Sequence, residues 1–298
     1  MPLRPLPRRL YKYRSFDIHL FRLLTQTELY YSDPRRFNDP LDCNPTIEID
    51  VDRASLEHLC YKLLWDAGMN EESATYEINN LRYLSTEHGD YETDAGVDEY
   101  LKSLLGGEIK RAFDAEMARK GVCSLSETWK SPLMWSHYAD EHRGVCIEYD
   151  TTKTAHPDIA PVDYRSPRSV KTSDLISWKF QASSEAQRRV NNTYFFAKSP
   201  QWRYEKEWRD IRQSWGVCTT NLFISAIYFG LRCDSAVVTS IVKLFSGDQS
   251  INFFEIYPLN DSFRLTRRLV DRDEVEALGV RRESVSLTFK DIVLPKHP

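Results

Sequence analysis

The spacing of hydrophobic and polar positions changes several times along this chain, and each change marks an element. Arg9 to Arg14 (RLYKYR) alternates and predicts a short aromatic strand. Ile18, Phe21, Leu23 and Leu24 then fall near helical spacing, with Ser15 placed to cap a short helix. Thr27 to Ser32 reads as a second strand. The DPRRFNDPLDCNP stretch that follows holds three prolines and several Asx residues, which predicts a structured turn or loop.

Residues 52–120 change character. Helical patterns cover about 53–67, 71–84 and 94–119, with Asn70 and Asp94 as caps and Gly121 as a stop. The block is acidic and interrupts a chain that is strand-rich on both sides. It reads as an insertion or lid, or as three helices packed on the core.

Beyond it, Gly121 to Leu125 returns to strand. Ser131-Pro132 starts a helix of about 132–142 with proline at its first position, ending before Gly144. Val145 to Tyr149 is a strand, 171–198 is helical, and Trp202 to Arg212 and Phe223 to Gly230 are strands. A helix over 235–245 precedes strands near 252–257, 262–269 and 284–290. No internal repeat breaks the succession. The expected architecture is one α+β domain over 1–298, with a mixed or antiparallel sheet core and 52–120 inserted as the helical block.

Composition is ordinary for a globular protein apart from the aromatics, with seven Trp and sixteen Tyr among 298 residues. Aromatics beyond core needs tend to line pockets or interfaces. The net charge of −4 hides a segregation. Residues 66–100 carry ten acids against Arg82, whereas residues 163–212 carry eleven Lys/Arg against six acids. Either the acidic segment closes over the basic ones, or the basic faces are left for an anion. The six cysteines lie far apart without CxxC, there is no signal-like start, and no apolar run approaches a membrane span. A reducing cytoplasm and no membrane association are expected. The chain has no P-loop, GxGxxG, GxSxG or HExxH, which removes the commonest nucleotide-loop and zinc-peptidase chemistries.

Four polar-aromatic islands remain as candidate chemistry. In Tyr11-Lys12-Tyr13-Arg14, strand alternation puts the cations on one face and the tyrosines on the other, suited to an anionic ligand or to edge protection. Phe37-Asn38-Asp39-Pro40 with Asp42 is either a rigid loop or a pocket rim offering Asn38 and Asp39 to a ribose or amide. Met134 to Gly144 holds Trp135, His137, Tyr138 and His142. On a helix Trp135 and His142 lie about 20° apart, while the two histidines do not share a face. No zinc pair is expected there, but acid–base work or stacking is. In Trp202 to Arg209, a strand would set Arg203, Glu205, Glu207 and Arg209 on one surface. That surface is either an ion-pair ladder or a paired-carboxylate site.

Together the islands resemble a widespread prokaryotic family of unknown function with a pattern like LYKY, FNDP-D, MW-HYA--H-G, YE-EWR and I-FG. The matches are Leu10 to Tyr13, Phe37 to Asp42, Met134 to Gly144, Tyr204 to Arg209 and Ile227 to Gly230. Cys123 to Ser126 stands where a Cys-Phe-Ser-like strand is expected, with Ser124-Leu125 in place of the phenylalanine. The resemblance implies phage-defence or toxin settings in bacteria. The order of elements is also distantly similar to the ADP-ribosyltransferase fold. That similarity implies NAD as substrate, contacted by Lys12 or Tyr13 and with Trp135 or Tyr138 stacked on nicotinamide. Glu207 would be the catalytic carboxylate with Glu205 its companion, although no full His-Tyr-Glu or Arg-Ser-Glu set is present. Asn38, Asp39, His137 and Arg209 complete the expected ligand contacts, and His142 the expected catalytic set. Two alternatives stand beside this reading: a nuclease-like effector using Asp39, Glu205, Glu207 and His142 on nucleic acid, and a non-enzymatic module that senses a ligand or binds a protein target.

Overall fold

The computed structural model describes residues 4–89, 93–154 and 159–277. In chain order these form strand β1 (Arg9–Arg14), helix α1 (Ile18–Gln26), strands β2 (Glu28–Tyr31) and β3 (Thr46–Glu48), and helices α2 (Arg53–Asp66), α3 (Glu71–His88) and α4 (Asp94–Met117). Strand β4 (Gly121–Ser126), helix α5 (Pro132–Tyr138) and strands β5 (Val145–Asp150), β6 (Ile159–Pro161) and β7 (Ser169–Lys171) follow. Helices α6 (Thr172–Gln181) and α7 (Ser184–Phe196) lead to strands β8 (Glu207–Arg212), β9 (Gly216–Thr219) and β10 (Ile224–Phe229). Helix α8 (Ser235–Leu244), strands β11 (Asn252–Pro258) and β12 (Leu265–Leu269) and helix α9 (Arg272–Ala277) complete them. The architecture is mixed α+β, as the hydrophobic pattern predicts. The expected strand over 284–290 lies outside the described residues.

Two compact units interleave along the chain. The first comprises Arg22–Glu127 and Thr154–Asn221 with the residues up to Pro7. In it β8 pairs antiparallel with β4 on one side and β6 on the other, β2 pairs antiparallel with β9, and β3 lies parallel to β7. The acidic helical block is part of this unit's core. Leu56 and Leu63 of α2, Leu81 of α3, and Leu105 and Phe113 of α4 share one buried apolar cluster with Val122, Val170, Leu175 and Phe195. Of the two readings of the block, the packed one describes this arrangement.

The second unit comprises Arg8–Phe21, Thr128–Lys153 and the chain from Leu222 onward. Its strands run in the order β12-β11-β10-β5-β1, antiparallel throughout except for the parallel pair β10–β11. The register sets Tyr11 opposite Glu148 and Tyr13 opposite Cys146, with Cys146 opposite Tyr228 and Tyr228 beside Phe254. Paired residues point to the same side of a sheet, so these side chains share one face and Lys12 lies on the other.

Short polar side chains set the helix starts. Asp52, Asn70, Ser131, Ser183 and Asp234 each accept a backbone N–H from the first turn of α2, α3, α5, α7 and α8. For α1 the acceptor is Asp17, bonded to Leu20 N at 2.8 Å, and not Ser15. For α4 it is Thr93, one residue before Asp94, so Asp94 opens the helix and does not cap it. The expected helix over 171–198 is two helices, because Ala182 adopts a left-handed conformation after α6. The expected strand over 202–212 is a 3-10 turn (Pro200–Glu205) followed by β8, with Lys206 left-handed between them. The helix expected over 132–142 stops at Tyr138, and Asp140, Glu141 and His142 are all left-handed. Glycine is required at the end of this turn. A Cβ on Gly144 would collide with the Arg14 carbonyl, and one on Gly230 with the His142 carbonyl. The three-residue strands β3, β6 and β7 and the strand β9 are too short or too polar to show in the pattern.

Phe113 is fully buried where α4 meets Tyr194 of α7, with ring centroids 5.6 Å apart. The change Phe113→Ala is expected to cost about 3–5 kcal/mol, read as a lower urea midpoint for the whole first unit. A transition confined to α2–α4, with the fluorescence of Trp208 unmoved, would show that the block is only loosely attached.

Candidate functional site

Each unit holds one concentrated polar centre. That of the first unit is built around Arg209, which β8 alternation places on the same side as Glu207. All five guanidinium N–H groups are occupied. Nε donates to Glu207 Oε1 at 2.7 Å, and Nη2 to Glu207 Oε2 at 3.0 Å and Asp42 Oδ2 at 2.6 Å. Nη1 donates to Asp42 Oδ1 at 2.9 Å and to the Phe195 carbonyl at 2.7 Å. Lys198 completes the cluster, with Nζ 2.6 Å from Glu205, 2.9 Å from Glu207 and 3.2 Å from Asp42. The Glu207 N–H donates to the Tyr164 hydroxyl at 2.9 Å, and Trp202 Nε1 donates to Asp39 at 2.7 Å.

Arg209 is 0 % exposed and Glu207 5 %. Burial alone would raise the Glu207 carboxyl, but the charges of Arg209 and Lys198 outweigh it and hold the group well below the usual carboxylate range. Burial would likewise lower Lys198, and the surrounding carboxylates, Glu207 first, raise it instead. The ion-pair reading of this island therefore describes it, except that the cluster is buried where a surface ladder was expected. Arg203, expected beside Glu205 and Arg209, is exposed on the 3-10 turn.

The centre of the second unit is Glu148, 2 % exposed on the face shared by β1, β5 and β10. Its carboxylate accepts from the Tyr228 hydroxyl at 2.7 Å, the Tyr11 hydroxyl at 3.1 Å and Ser225 Oγ at 2.8 Å, and is paired with Arg9. Tyr228 in turn accepts from Arg267. The Arg267 guanidinium lies over three rings, 4.1 Å from the centroid of Phe254, 5.3 Å from Tyr228 and 5.8 Å from Trp129. Trp129 stacks on Tyr228 at 5.0 Å, and Lys130 Nζ lies 5.5 Å from the Trp129 ring. Among the described residues no carboxylate pairs with Arg267 or Lys130. The sequence carried a signal here that the four islands passed over: Glu148 is a lone charge in the otherwise apolar run Val145 to Tyr149.

The expected site residues divide between the units. In the first, Asp39, Glu205, Glu207 and Arg209 lie in or beside the ion cluster, while Asn38 is exposed on its loop. In the second, Tyr13, Trp135 and His142 form a stack. The Tyr13 and Trp135 rings meet edge-on at 5.2 Å, and His142 lies parallel to Trp135 at 6.1 Å. The predicted neighbourhood of Trp135 and His142 is thus present, though made by a left-handed turn and not by helix periodicity. Trp135 is fully buried, its indole N–H donating to the Trp129 carbonyl at 2.6 Å, and Tyr13 donates to the Thr128 carbonyl at 2.7 Å. Both act as packing groups. Burial and then Arg232 lower the His142 pKa, keeping the ring neutral near pH 7. His137 is exposed and Tyr138 half-buried at the end of α5, their rings 6.1 Å apart. Lys12 is half-buried on the face opposite Tyr13, so the two cannot hold one ligand together. Among the described residues no group of three or more His, Cys, Asp or Glu side chains is arranged to hold a metal ion, and no helix is long and apolar enough to cross a membrane.

A family model described as "Protein of unknown function (DUF2971)" matches residues 134–209. That span opens on Met134 and closes on Arg209, the first residue of the third island and the last of the fourth. No curated protein and no solved structure matches the chain.

The ion cluster fixes a pH dependence of stability. Glu207 has a folded pKa below its ordinary value, so its contribution is present above about pH 4.3 and is lost as pH falls below that. Lys198 has a raised folded pKa, so its contribution is complete below about pH 10.4 and is lost as pH rises further. In a thermal-melt series the cluster's own contribution is expected to be constant between those limits and to be lost on both sides. The change Arg209→Met leaves Lys198 alone to balance Asp42, Glu205 and Glu207 and is expected to destabilise by about 3–5 kcal/mol, with Arg209→Lys only a partial rescue. Wild-type stability for Arg209→Met would remove the cluster's structural role.

Proposed function

We propose that this chain is a binding protein for an anionic ligand bearing a planar ring, of the nucleotide class, and that it takes the ligand on the Glu148 face of the second unit. The observation that carries this reading is Arg267. Its guanidinium is spread over three aromatic rings, exposed, and not paired with an acid among the described residues. A stacked arginine is held planar with its outer N–H groups pre-oriented, and such a fork suits phosphate or carboxylate oxygens. Arg9, which pairs with Glu148, and Lys130, which lies by the Trp129 ring, are also exposed. The two tyrosines and Ser225 hold Glu148, and this network anchors Arg9 through Glu148 and Ser225 and Arg267 through Tyr228.

NAD is the first ligand to test, since it carries both features and is the substrate that the ADP-ribosyltransferase resemblance implies. Transfer chemistry is a second reading. What favours it is the charge of the ion cluster, where three carboxylates face two cations and leave a formal −1 fixed in the first unit. A fixed negative charge is what an oxocarbenium-like transition state requires. Against it stands the full engagement of Glu207 by Arg209 and Lys198.

Calorimetric titration of the full chain with NAD, ADP-ribose, inorganic phosphate and nicotinamide separates these readings. Saturable binding of the phosphate-bearing ligands is expected, with nicotinamide alone inert. The exposed change Arg267→Ala is expected to weaken binding by about tenfold or more, as for loss of one charge-assisted fork. Absence of binding by all four ligands, or equal affinity in Arg267→Ala, would overturn the assignment. Release of nicotinamide from labelled NAD, abolished in a folded Glu207→Gln variant, would establish the transfer reading in addition.

A further inference from the structure

Helix α3 shows two opposite faces at helical spacing. Ala74, Ile78, Leu81 and Ser85 are buried. On the other side Glu72, Tyr76, Asn79, Tyr83 and Glu87 recur at intervals of three or four residues, and all five are exposed. At about 100° per residue they fall within a stripe roughly 80° wide, and at about 1.5 Å per residue the stripe is about 22 Å long. Tyr76 is 71 % exposed and Tyr83 61 %, although the same helix has enough polar residues to cover its outer face without them. Neither ring has an aromatic or cationic partner among the described residues, and no cation pairs with Glu72 or Glu87 there. Arg82 of α3 is paired with Glu57 of α2 at 2.6 Å and donates to Asn79 of the stripe at 3.1 Å, so its charge is offset by Glu57.

We infer that this stripe is a docking surface for an arginine- or lysine-rich segment of a partner protein. Large exposed tyrosines are costly to leave in water and are enriched at the energetic centres of interfaces. Their ring faces attract guanidinium and ammonium groups, and flanking carboxylates neutralise the charge that such a contact brings. Charge complementarity selects the class of partner. The segment 66–100, which contains α3, carries a net charge of −9 in the sequence, so it repels acidic partners and nucleic-acid phosphates and draws in basic chains. An extended segment rises about 3.3 Å per residue, so roughly seven residues span the stripe. The surface belongs to the first unit and is independent of the ligand face proposed above.

The test is fluorescence anisotropy of a labelled peptide of about eight residues alternating arginine and serine, titrated with the full chain, beside a glutamate–serine peptide. Saturable binding of the arginine peptide alone is expected. The surface variant Tyr76→Ser/Tyr83→Ser is expected to weaken it by about tenfold while leaving the melting curve unchanged. The variant Glu72→Gln/Glu87→Gln is expected to weaken it too and to flatten its salt dependence. Failure of the arginine peptide to bind overturns the inference. So does parental affinity in the tyrosine variant, because the attraction would then be diffuse charge and not this stripe.

Discussion

Removing five ionised side chains from water is among the most expensive things a small protein can do, and the first unit does it around Arg209. The arrangement is stable because every donor of the guanidinium has an acceptor at good distance. Two carboxylates from separate parts of the chain are gripped side by side. The consequence is positional. The loop carrying Asp42, the end of α7 at Phe195 and the strand β8 are all tied to one side chain, and Lys198 joins them through the same carboxylates. None of those segments can shift without leaving a buried charge unpaired. The 3-10 turn over Pro200–Glu205 is locked at one end by Glu205 on Lys198 and near its middle by Trp202 on Asp39.

The second polar centre differs in one respect, and that difference decides where function is placed. Glu148 is as deeply buried as Glu207 and as fully hydrogen-bonded. Its partners, however, are hydroxyls and the exposed Arg9, while Arg267 and Lys130 of the same unit lie against aromatic faces and pair with no acid among the described residues. Around Arg209 the cations are consumed within the cluster. Near Glu148, Arg267 is exposed and takes no acid partner among the described residues. A closed cluster specifies a structure, whereas a surplus of oriented cations over aromatic rings is a surface prepared for something anionic.

Much of the scaffold was legible because it follows period. β1 begins and ends where alternation does, and β4, β5, β10 and the helices α2, α3 and α8 appear close to their expected places. The alternation that put Glu207 and Arg209 on one face is also real. What period cannot show is a residue that resets the phase. Lys206 at φ 47° breaks the 202–212 pattern in two, and Asp140, Glu141 and His142 turn an expected helix back on itself. In both places the chemical neighbours were anticipated and their geometry was not. Long-range partners left weaker marks. Lys198 is separated from Asp42 by most of the first unit's sequence, and nothing local distinguishes it from any other lysine. Glu148 was more visible, since a lone charge inside an apolar strand must have partners waiting for it.

The abundance of tyrosine has more than one cause, and burial separates them. Tyr31 and Tyr194 fill the first unit's interior, with Tyr31 also bonding Asp210 at 2.6 Å. Tyr11 and Tyr228 use an apolar body to pack and a hydroxyl to satisfy a buried carboxylate, a task neither phenylalanine nor serine can perform alone. Tyr76 and Tyr83 do neither. They lie outside the core, bond no buried group and stand between Glu72 and Glu87, which pair with no cation among the described residues, on a helix whose inner face is already well packed. Folding does not require a tyrosine at these two positions, since any of the polar residues around them would serve α3 as well. A side chain that the fold does not need, placed twice on one stripe beside charges that the fold does not use, is accounted for by what it meets outside the chain.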